Sequence, residues 1–565
     1  MSATATSARS TGTADLDRAV VELQEHARSF ARLGPAAKAS LVRACLPRTA
    51  EVASAWSARG LTAKGLPPTS AEEWLAGPLP VVRQLRLLAD SLDALAAGRL
   101  PLGTGTRQRD DGRLEVDLFP AGGLDRLLYR GTSAHVLLQE GVDAEGARAS
   151  QAAFYAEHDP SGGVCLVLGA GNASSIPAMD VLSKLFNEGQ VCLLKINPVN
   201  EWVGPFVERG LAPLVDAGFL RVVYGDADVG RYLVGHPGID AVHLTGSART
   251  HDALVWGPPG PEQDRRRAEG DPVLQVPITS ELGNVTPVVV VPYRYEPADL
   301  RFQARHLATM VANNASFNCI SAKMLVTATG WEQRDELLEL VGGYLADLPT
   351  RLAYYPGARE RFASLTQGRT VQSYGAPAAG ELPWGVVRDL DATDRDEPLF
   401  TTEPFCSLLS ETTVGSTDPL DFLAAATTFT NDTLWGTLSA AVVVAPRLER
   451  DTEVRRALER SVAALRYGCV AINHWPALSY GLASPPWGGH PSSTLADVQS
   501  GIGWVHNTHL LGGVDKVVLR GPIRTTPTPP WFADHPKAGR AGPDLVALEA
   551  DPRWTRLPGL LRRLV

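Results

Sequence analysis

The sequence predicts an α/β fold made of two parallel-sheet units joined to a helical layer and a small β element, and three features carry that expectation. From Gly163 onward, short apolar runs alternate with helical stretches. The runs are rich in Val and Leu and bounded by Gly, Asn and Pro, as strands buried on both faces are. A second series of runs and helices begins after Val291, so the 565 residues divide into more than one core.

Taken in order, residues 1–13, MSATATSARSTGT, are small and polar without apolar periodicity and read as a disordered tail. Residues 14–99 read as antiparallel helices, because Val20, Leu23, Ala27 and Phe30 share one face and Ala/Leu-rich segments follow at 50–58 and 80–96. Between 100 and 160 the runs 114–119 and 135–138 alternate like strands, giving a β excursion from the main sheet. In 161–280, strands at 164–168, 191–195, 220–223 and 241–244 are separated by helices at 176–187 and 202–217. The stretch 257–272, GPPGPEQDRRRAEGDP, mixes breakers with charge and reads as a solvated loop whose three arginines, Arg265 to Arg267, face water rather than a phosphate. Residues 281–489 continue with a helix at 297–313, a strand at 324–327 and a helix at 331–348. The last part, 490–565, has a strand-like 516–519, the Pro-rich TTPTPPWF and a helical end at 557–564, and reads as an arm across a subunit interface.

Composition narrows the function. A content of 44% hydrophobic and 20% charged residues is that of a globular enzyme, and a net charge of −9 argues against a broad nucleic-acid or anionic-membrane surface. The six cysteines, at 45, 165, 192, 319, 406 and 469, show no metal-like spacing, which points to a reducing compartment and to neither a disulfide frame nor a metal site. No stretch of about 18 apolar residues occurs and no cation-flanked apolar segment opens the chain, so a soluble cytoplasmic protein is expected.

The stretch 278–326 carries the chemistry. Its first part, ITSELGNVTPVVVV, ends an apolar strand at Glu281, turns through Gly283 and re-enters a strand after Thr286-Pro287. Its last part places Cys319 after the polar loop Asn313-Asn314-Ala315-Ser316. A thiolate attacks a carbonyl directly and a nearby carboxylate activates water, so Cys319 and Glu281 suit nucleophile and general base.

These two blocks, Glu281-Leu282-Gly283 and 314–319, resemble the signature blocks of the aldehyde dehydrogenase superfamily. Further similarities occur in the family's order over roughly 150–510: the 164–195 segment with Asn172 and Lys195, Leu244-Thr245-Gly246-Ser247, Glu403-Pro404-Phe405, Asn431-Asp432-Thr433 through Gly436, Ile472-Asn473, and Pro486-Trp487-Gly488-Gly489. Gly169-Ala170-Gly171-Asn172 is not a full GxGxxG, a fingerprint this superfamily does not use. The resemblance implies a cofactor domain with a parallel sheet, an α/β catalytic domain and a small β oligomerisation element whose hairpin crosses to a neighbouring subunit of a homodimer or homotetramer.

The resemblance also assigns roles. Cys319 is the nucleophile that forms a thiohemiacetal and then a thioester, Glu281 the base for hydrolysis, and Asn172 the oxyanion donor with the backbone N–H of Cys319. Lys195 and the helix start at Gly246 and Ser247 bind the adenosine ribose and pyrophosphate of NAD or NADP. Leu282, Glu403 and Phe405 line the nicotinamide side, while Asn473, Trp475, Leu478 and Tyr480 line an apolar or aromatic aldehyde's site. The 431–436 block reads as a structural turn. Four departures from the family pattern stand out: Ala170-Gly171 where Pro-Trp is usual, Gly283-Asn284-Val285 for Gly-Gly-Lys, His251 for a glycine, and Pro198 for an NAD-selecting Glu. A coenzyme A-dependent acyl reductase or CoA-acylating dehydrogenase, and a degenerate non-catalytic member, are the alternatives.

Overall fold

The computed structural model describes residues 9–101, 103 and 105–564. The N-terminal layer consists of α1 (Thr13–Ala31), α2 (Pro35–Ala63) and α3 (Pro78–Ala96). α1 buries the stripe Leu16, Val20, Leu23, Ala27 and Phe30, the spacing that predicts it. The expected 1–13 tail is only in part accessible to comparison: residues 1–8 lie outside the described ones, whereas the Thr11 N–H donates to Tyr224 O (3.0 Å) and its hydroxyl accepts from Tyr224 N (3.0 Å).

Three antiparallel strands follow, β1 (Gly105–Gln108), β2 (Leu114–Phe119) and β3 (Ser133–Leu138). Next comes a wholly parallel sheet in the order β6-β5-β4-β7-β8, with β4 (Val164–Leu168), β5 (Val191–Lys195), β6 (Leu220–Val223), β7 (Ala241–Thr245) and β8 (Ile278–Glu281). α4 (Ile176–Glu188) follows β4 and α5 (Ala248–Val255) follows β7. Because every strand runs the same way, Leu168, Lys195, Thr245 and Glu281 collect at one edge, and the chain order reverses between β4 and β7, where such sheets open a crevice.

Three local expectations are corrected here. The helix expected over 202–217 is a 3₁₀ turn, Pro198–Val203, and two short helices, Gly204–Gly210 and Ala212–Asp216, each with a proline in its first turn where the missing N–H costs nothing. A helix at Ala227–Val234, capped by the Asp226 side chain, was not foreseen. The 257–272 loop contains a helix, Pro261–Glu269, closed by Gly270 in the left-handed region. Its arginines pair locally: Arg265 with Glu262 and Glu269, Arg266 with Asp271, and Arg267 with Asp252.

The second unit contains β9 (Pro287–Val290), α6 (Pro297–Ala312), β10 (Met324–Ala328), β11 (Gln372–Tyr374), β12 (Trp384–Leu390), β13 (Leu408–Val414), β14 (Ser439–Val443), β15 (Cys469–Ile472) and β16 (Val514–Arg520). They form one sheet with the first three strands, in the order β1-β2-β3-β16-β15-β14-β9-β10-β13-β12-β11. Within the chain the 100–160 excursion pairs with the second unit: β3 is antiparallel to β16, and β16 is parallel to β15. The C-terminal arm also returns to its own chain. α7 (Ala538–Ala550) packs along α3, and α8 (Leu557–Leu564) packs on α7. α7 escaped the sequence reading because GRAGPDL reads as breakers, yet the glycines serve close packing: a Cβ at Gly542 would lie 2.3 Å from the Trp74 ring. Among the described residues no helix is long and apolar enough to cross a membrane.

Candidate active site

The loop that carries Cys319 leaves α6 through three consecutive left-handed residues, Asn314 (φ 52°), Ala315 (54°) and Ser316 (66°). Such backbone is strained for residues with a Cβ and persists only where partners hold it. Asn314 Nδ2 donates to Asn172 O (3.1 Å), Phe317 O (3.1 Å) and Asn318 Oδ1 (3.0 Å), and the Lys323 ammonium donates to Ser316 O (2.7 Å) and Oγ (2.8 Å). The Thr286 hydroxyl then fixes the carbonyl of Cys319 (2.9 Å). Cys319 is the one partly exposed cysteine; the other five are buried.

Glu281, at the end of β8 and 3% exposed, accepts a hydrogen bond from the Cys319 thiol on Oε1 at 3.4 Å. Burial, helped by the nearby Asp180 carboxylate, pushes the Glu281 carboxyl up to about 7. Burial, together with the Glu281 and Glu403 carboxylates, also holds the Cys319 thiol well above its ordinary range. The resting pair is therefore a thiol against a carboxyl group that ionises near neutrality. Asn172 lies beside them, but its Nδ2 donates to Phe317 O (3.0 Å), so the side chain braces the loop as well as facing the cavity. Its carbonyl accepts from Lys64 (2.7 Å), which pairs in turn with buried Glu73 (2.6 Å), tying the helical layer to the loop that carries Cys319.

Two cavities meet at Cys319, Glu281 and Asn172. The larger, about 1410 Å³, runs over the strand ends and is lined by Lys195, Gly246, Ser247, Leu282, Glu403 and Phe405. Lys195 ends β5, and burial holds its amine below the usual range against the opposing pull of Asp226. The Gly246 N–H is engaged by Glu281 O (3.0 Å), and Ser247 caps α5 by accepting from Thr250 N (3.2 Å). Leu282 is 1% exposed, and its N–H donates to Ser500 O (2.9 Å). Glu403 lies so close to the chain at Gly283 that a Cβ there would sit 2.0 Å from its Oε2, while its buried Oε1 has no partner. Burial, opposed by Lys323, raises the Glu403 carboxyl to about 7. Phe405 packs against Tyr355 (4.9 Å) and Phe317 (5.9 Å). A dinucleotide fits this lining: a cation at one strand end, a capped helix start, and an unpartnered carboxyl oxygen near the thiol.

The second cavity, about 200 Å³, is apolar and includes Trp475, Leu478 and Tyr480. Trp475 is fixed by its indole N–H on Ile320 O (2.8 Å), and Tyr480 by its hydroxyl against Ser175 Oγ (2.8 Å). Asn473 does not line it. With φ at 55°, its side chain closes on Val444, accepting from N (2.8 Å) and donating to O (3.0 Å), which makes it a chain-reversal clamp instead of a substrate contact.

Comparison with known proteins agrees with this geometry. The aldehyde dehydrogenase family model matches residues 129–342. Among solved structures, the NADP-dependent glyceraldehyde-3-phosphate dehydrogenase of Bacillus halodurans, complexed with NADP, superposes with a TM-score of 0.59 at 18% identity, covering 90% of this chain and 92% of that one. The Mycobacterium tuberculosis aldehyde dehydrogenase complexed with NAD+ gives 0.59 at 18% identity over 92% of each chain. The chain thus shares the fold of aldehyde dehydrogenases, and its residues 129–342 match their family model. Its similarity to N-succinylglutamate 5-semialdehyde dehydrogenase of Sphingopyxis alaskensis is 30% identity over 133 residues, 24% of this chain and 23% of that relative. The chain thus matches under a quarter of the length of the curated relatives.

The stretch matched by the family model holds Asn172, Lys195, Gly246, Ser247, Glu281, Leu282 and Cys319, and ends before Glu403, Phe405, Trp475 and Tyr480. Three site features went unseen in the sequence. Asp180, 1% exposed, accepts from the Thr245 hydroxyl (2.8 Å) directly under Glu281, the register partner of Thr245. Asp226 shares the larger cavity with Lys195, and the buried Lys64–Glu73 pair backs Asn172. Only the pattern of a carboxylate three residues past strand β6, where it caps the next helix, offered a signal for Asp226. His251, in place of the usual glycine, is fully buried in α5. The 431–436 block, read as a turn, begins as the end of the helix Pro419–Asp432 and turns after it; the Asn431 side chain accepts from Arg466 N (2.8 Å) and donates to Ala464 O (2.9 Å).

Proposed function

We propose that the chain oxidises an apolar or aromatic aldehyde to its carboxylic acid, with NAD or NADP, through a thioester on Cys319. The observation that carries this reading is the Cys319–Glu281 contact at the junction of a dinucleotide-sized cavity and an apolar one. Glu281 accepts the thiol proton, and the sulfur adds to the aldehyde carbon to form a thiohemiacetal. Charge developing on the carbonyl oxygen is met by the Cys319 N–H and the second hydrogen of Asn172 Nδ2. NAD or NADP, when bound, would supply the hydride acceptor, and Lys195, the Gly246–Ser247 helix start, Leu282, Glu403 and Phe405 would hold it. After passing its proton to solvent, Glu281 takes one from the water that attacks the thioester carbon, and the Cys319 sulfur leaves as the acid forms. Pro198 in place of a carboxylate favours a 2′-phosphate, whereas Asp226 opposes one, so both cofactors belong in the test.

The test is an absorbance assay for reduced cofactor, with NAD and NADP, a panel of aliphatic and aromatic aldehydes, and coenzyme A present or absent. Cofactor reduction without coenzyme A is the expected result. A signal that requires coenzyme A moves the function to acyl transfer, and a folded protein that binds neither cofactor is a non-catalytic member.

A further inference from the structure

The apolar cavity that starts at Cys319 ends on residues beyond β16. Its lining there includes Pro530, Trp531, Leu545 and Leu564, together with Leu128 and Tyr129. The segment that supplies this wall is fastened to the helix that carries the nucleophile loop. Along α6, Gln303 Nε2 donates to Ile523 O (2.6 Å), Arg305 pairs with Asp534 (2.6 Å), and Thr309 Oγ1 accepts from Ala533 N (3.2 Å). The Trp531 ring lies 5.2 Å from that of His474, whose neighbour Trp475 belongs to the inner wall. Farther on, Glu549 of α7 bridges Arg83 and Arg86 of α3, each at 2.6 Å. Among the described residues, α8 has no such clasp onto the catalytic core. It is held by Leu557 and Leu560 in an apolar cluster with Ala541, Leu548, Leu124 and Leu128, and by one exposed pair, Arg563 with Asp544.

On the reading that Cys319 carries the aldehyde, we propose that residues 529–564 form the specificity-determining outer wall of the substrate cavity, with α8 setting how long an apolar body fits beyond C1. Proline, tryptophan and leucine offer no cation to a phosphate or a second carboxylate, so the wall selects an uncharged hydrocarbon or aromatic body. A volume of about 200 Å³ lies below that of most drug-sized ligand pockets, which sets a compact body as the natural occupant.

The test reads access to Cys319 as well as turnover. Wild type, Trp531→Ala, Leu564→Asp and Leu564→Met are each alkylated with N-ethylmaleimide, N-octylmaleimide and the small polar iodoacetamide, and followed by intact mass; the five buried cysteines serve as the internal background. Leu564→Asp should slow N-octylmaleimide about tenfold relative to iodoacetamide, because an ionised group replaces apolar contact at the mouth, and Leu564→Met should restore the wild-type ratio. Trp531→Ala should shift the preferred maleimide, and the preferred alkanal in kcat/KM, toward longer chains. Unchanged ratios in Leu564→Asp and Trp531→Ala, with thermal unfolding showing both folded, overturn the proposal. A shifted labelling ratio with no aldehyde turnover in wild type keeps the wall and discards the dehydrogenase reading; turnover with unshifted ratios does the reverse.

Discussion

Cys319 and Glu281 were legible in the sequence because each stands where chain direction changes: one after a polar loop leaving a helix, the other at the last position of an apolar strand. Asn473 was misread for the opposite reason, since its role depends on Val444, distant in sequence and met only through the fold. Cys319→Ala should abolish turnover while leaving cofactor affinity within about twofold, measured by fluorescence titration, because the thiol bonds only Glu281. Persistent turnover would remove Cys319 from the mechanism. Glu281 gives a pH prediction with two signs to check. As a base it works ionised, so acid release should rise with pH through about 7, and Glu281→Gln should lower that step about 10²-fold or more and slow the hydride burst less. As a buried acid its folded pKa is raised, so the protonated form is the stabilising one. Stability should be highest below the ordinary carboxylate range and fall as pH climbs to about 7, a slope that urea titrations should find missing in Glu281→Gln. Equal loss of burst and acid release in that variant would mean that Glu281 does not act mainly at deacylation.

Strands and long amphipathic helices matched their sequence patterns closely, β4 and β5 residue for residue, because burial on both faces leaves an apolar run that nothing else produces. Elements rich in breakers were harder. The helix Pro261–Glu269 reads as a loop until its i, i+3 and i, i+4 pairs are seen, Arg265 with Glu262 and Glu269, and these hold a segment with almost no apolar face. Those pairs also answer whether the three arginines reach a phosphate: each already faces a carboxylate, and none lines the larger cavity. Replacing Arg265, Arg266 and Arg267 together by Gln should therefore leave NADP affinity unchanged within about twofold. A loss above tenfold, with α5 intact by circular dichroism, would put this helix at the cofactor after all.

At the scale of the whole molecule, the sequence order of units was legible, but not the pairing of each arm with its own chain, because edge pairing depends on shape and not on local pattern. Here β16 closes the edge of its own catalytic sheet at β15, and α7 returns to its own α3, so the N-terminal layer, the substrate cavity and the C-terminus are mechanically one. The fastening is electrostatic. Glu549 is buried between Arg83, 3% exposed on its side chain, and Arg86; burial alone would raise its carboxyl, and the two guanidinium groups hold it below the ordinary range instead. With a folded pKa depressed below the unfolded one, Glu549 contributes stability that is complete above the ordinary carboxylate range and is lost as pH falls through the folded value. Glu549→Gln at neutral pH leaves Arg83 with Asp125 (3.3 Å) and Leu482 O (2.9 Å) as partners, so the cost should be about 3 kcal/mol in urea unfolding, at the low end for a broken buried pair. If the tail forms the cavity wall, the same variant should also label faster with N-octylmaleimide at Cys319. A stability loss under about 0.5 kcal/mol would mean that α7 is held by its apolar face alone, and that the acid-labile clasp does not exist.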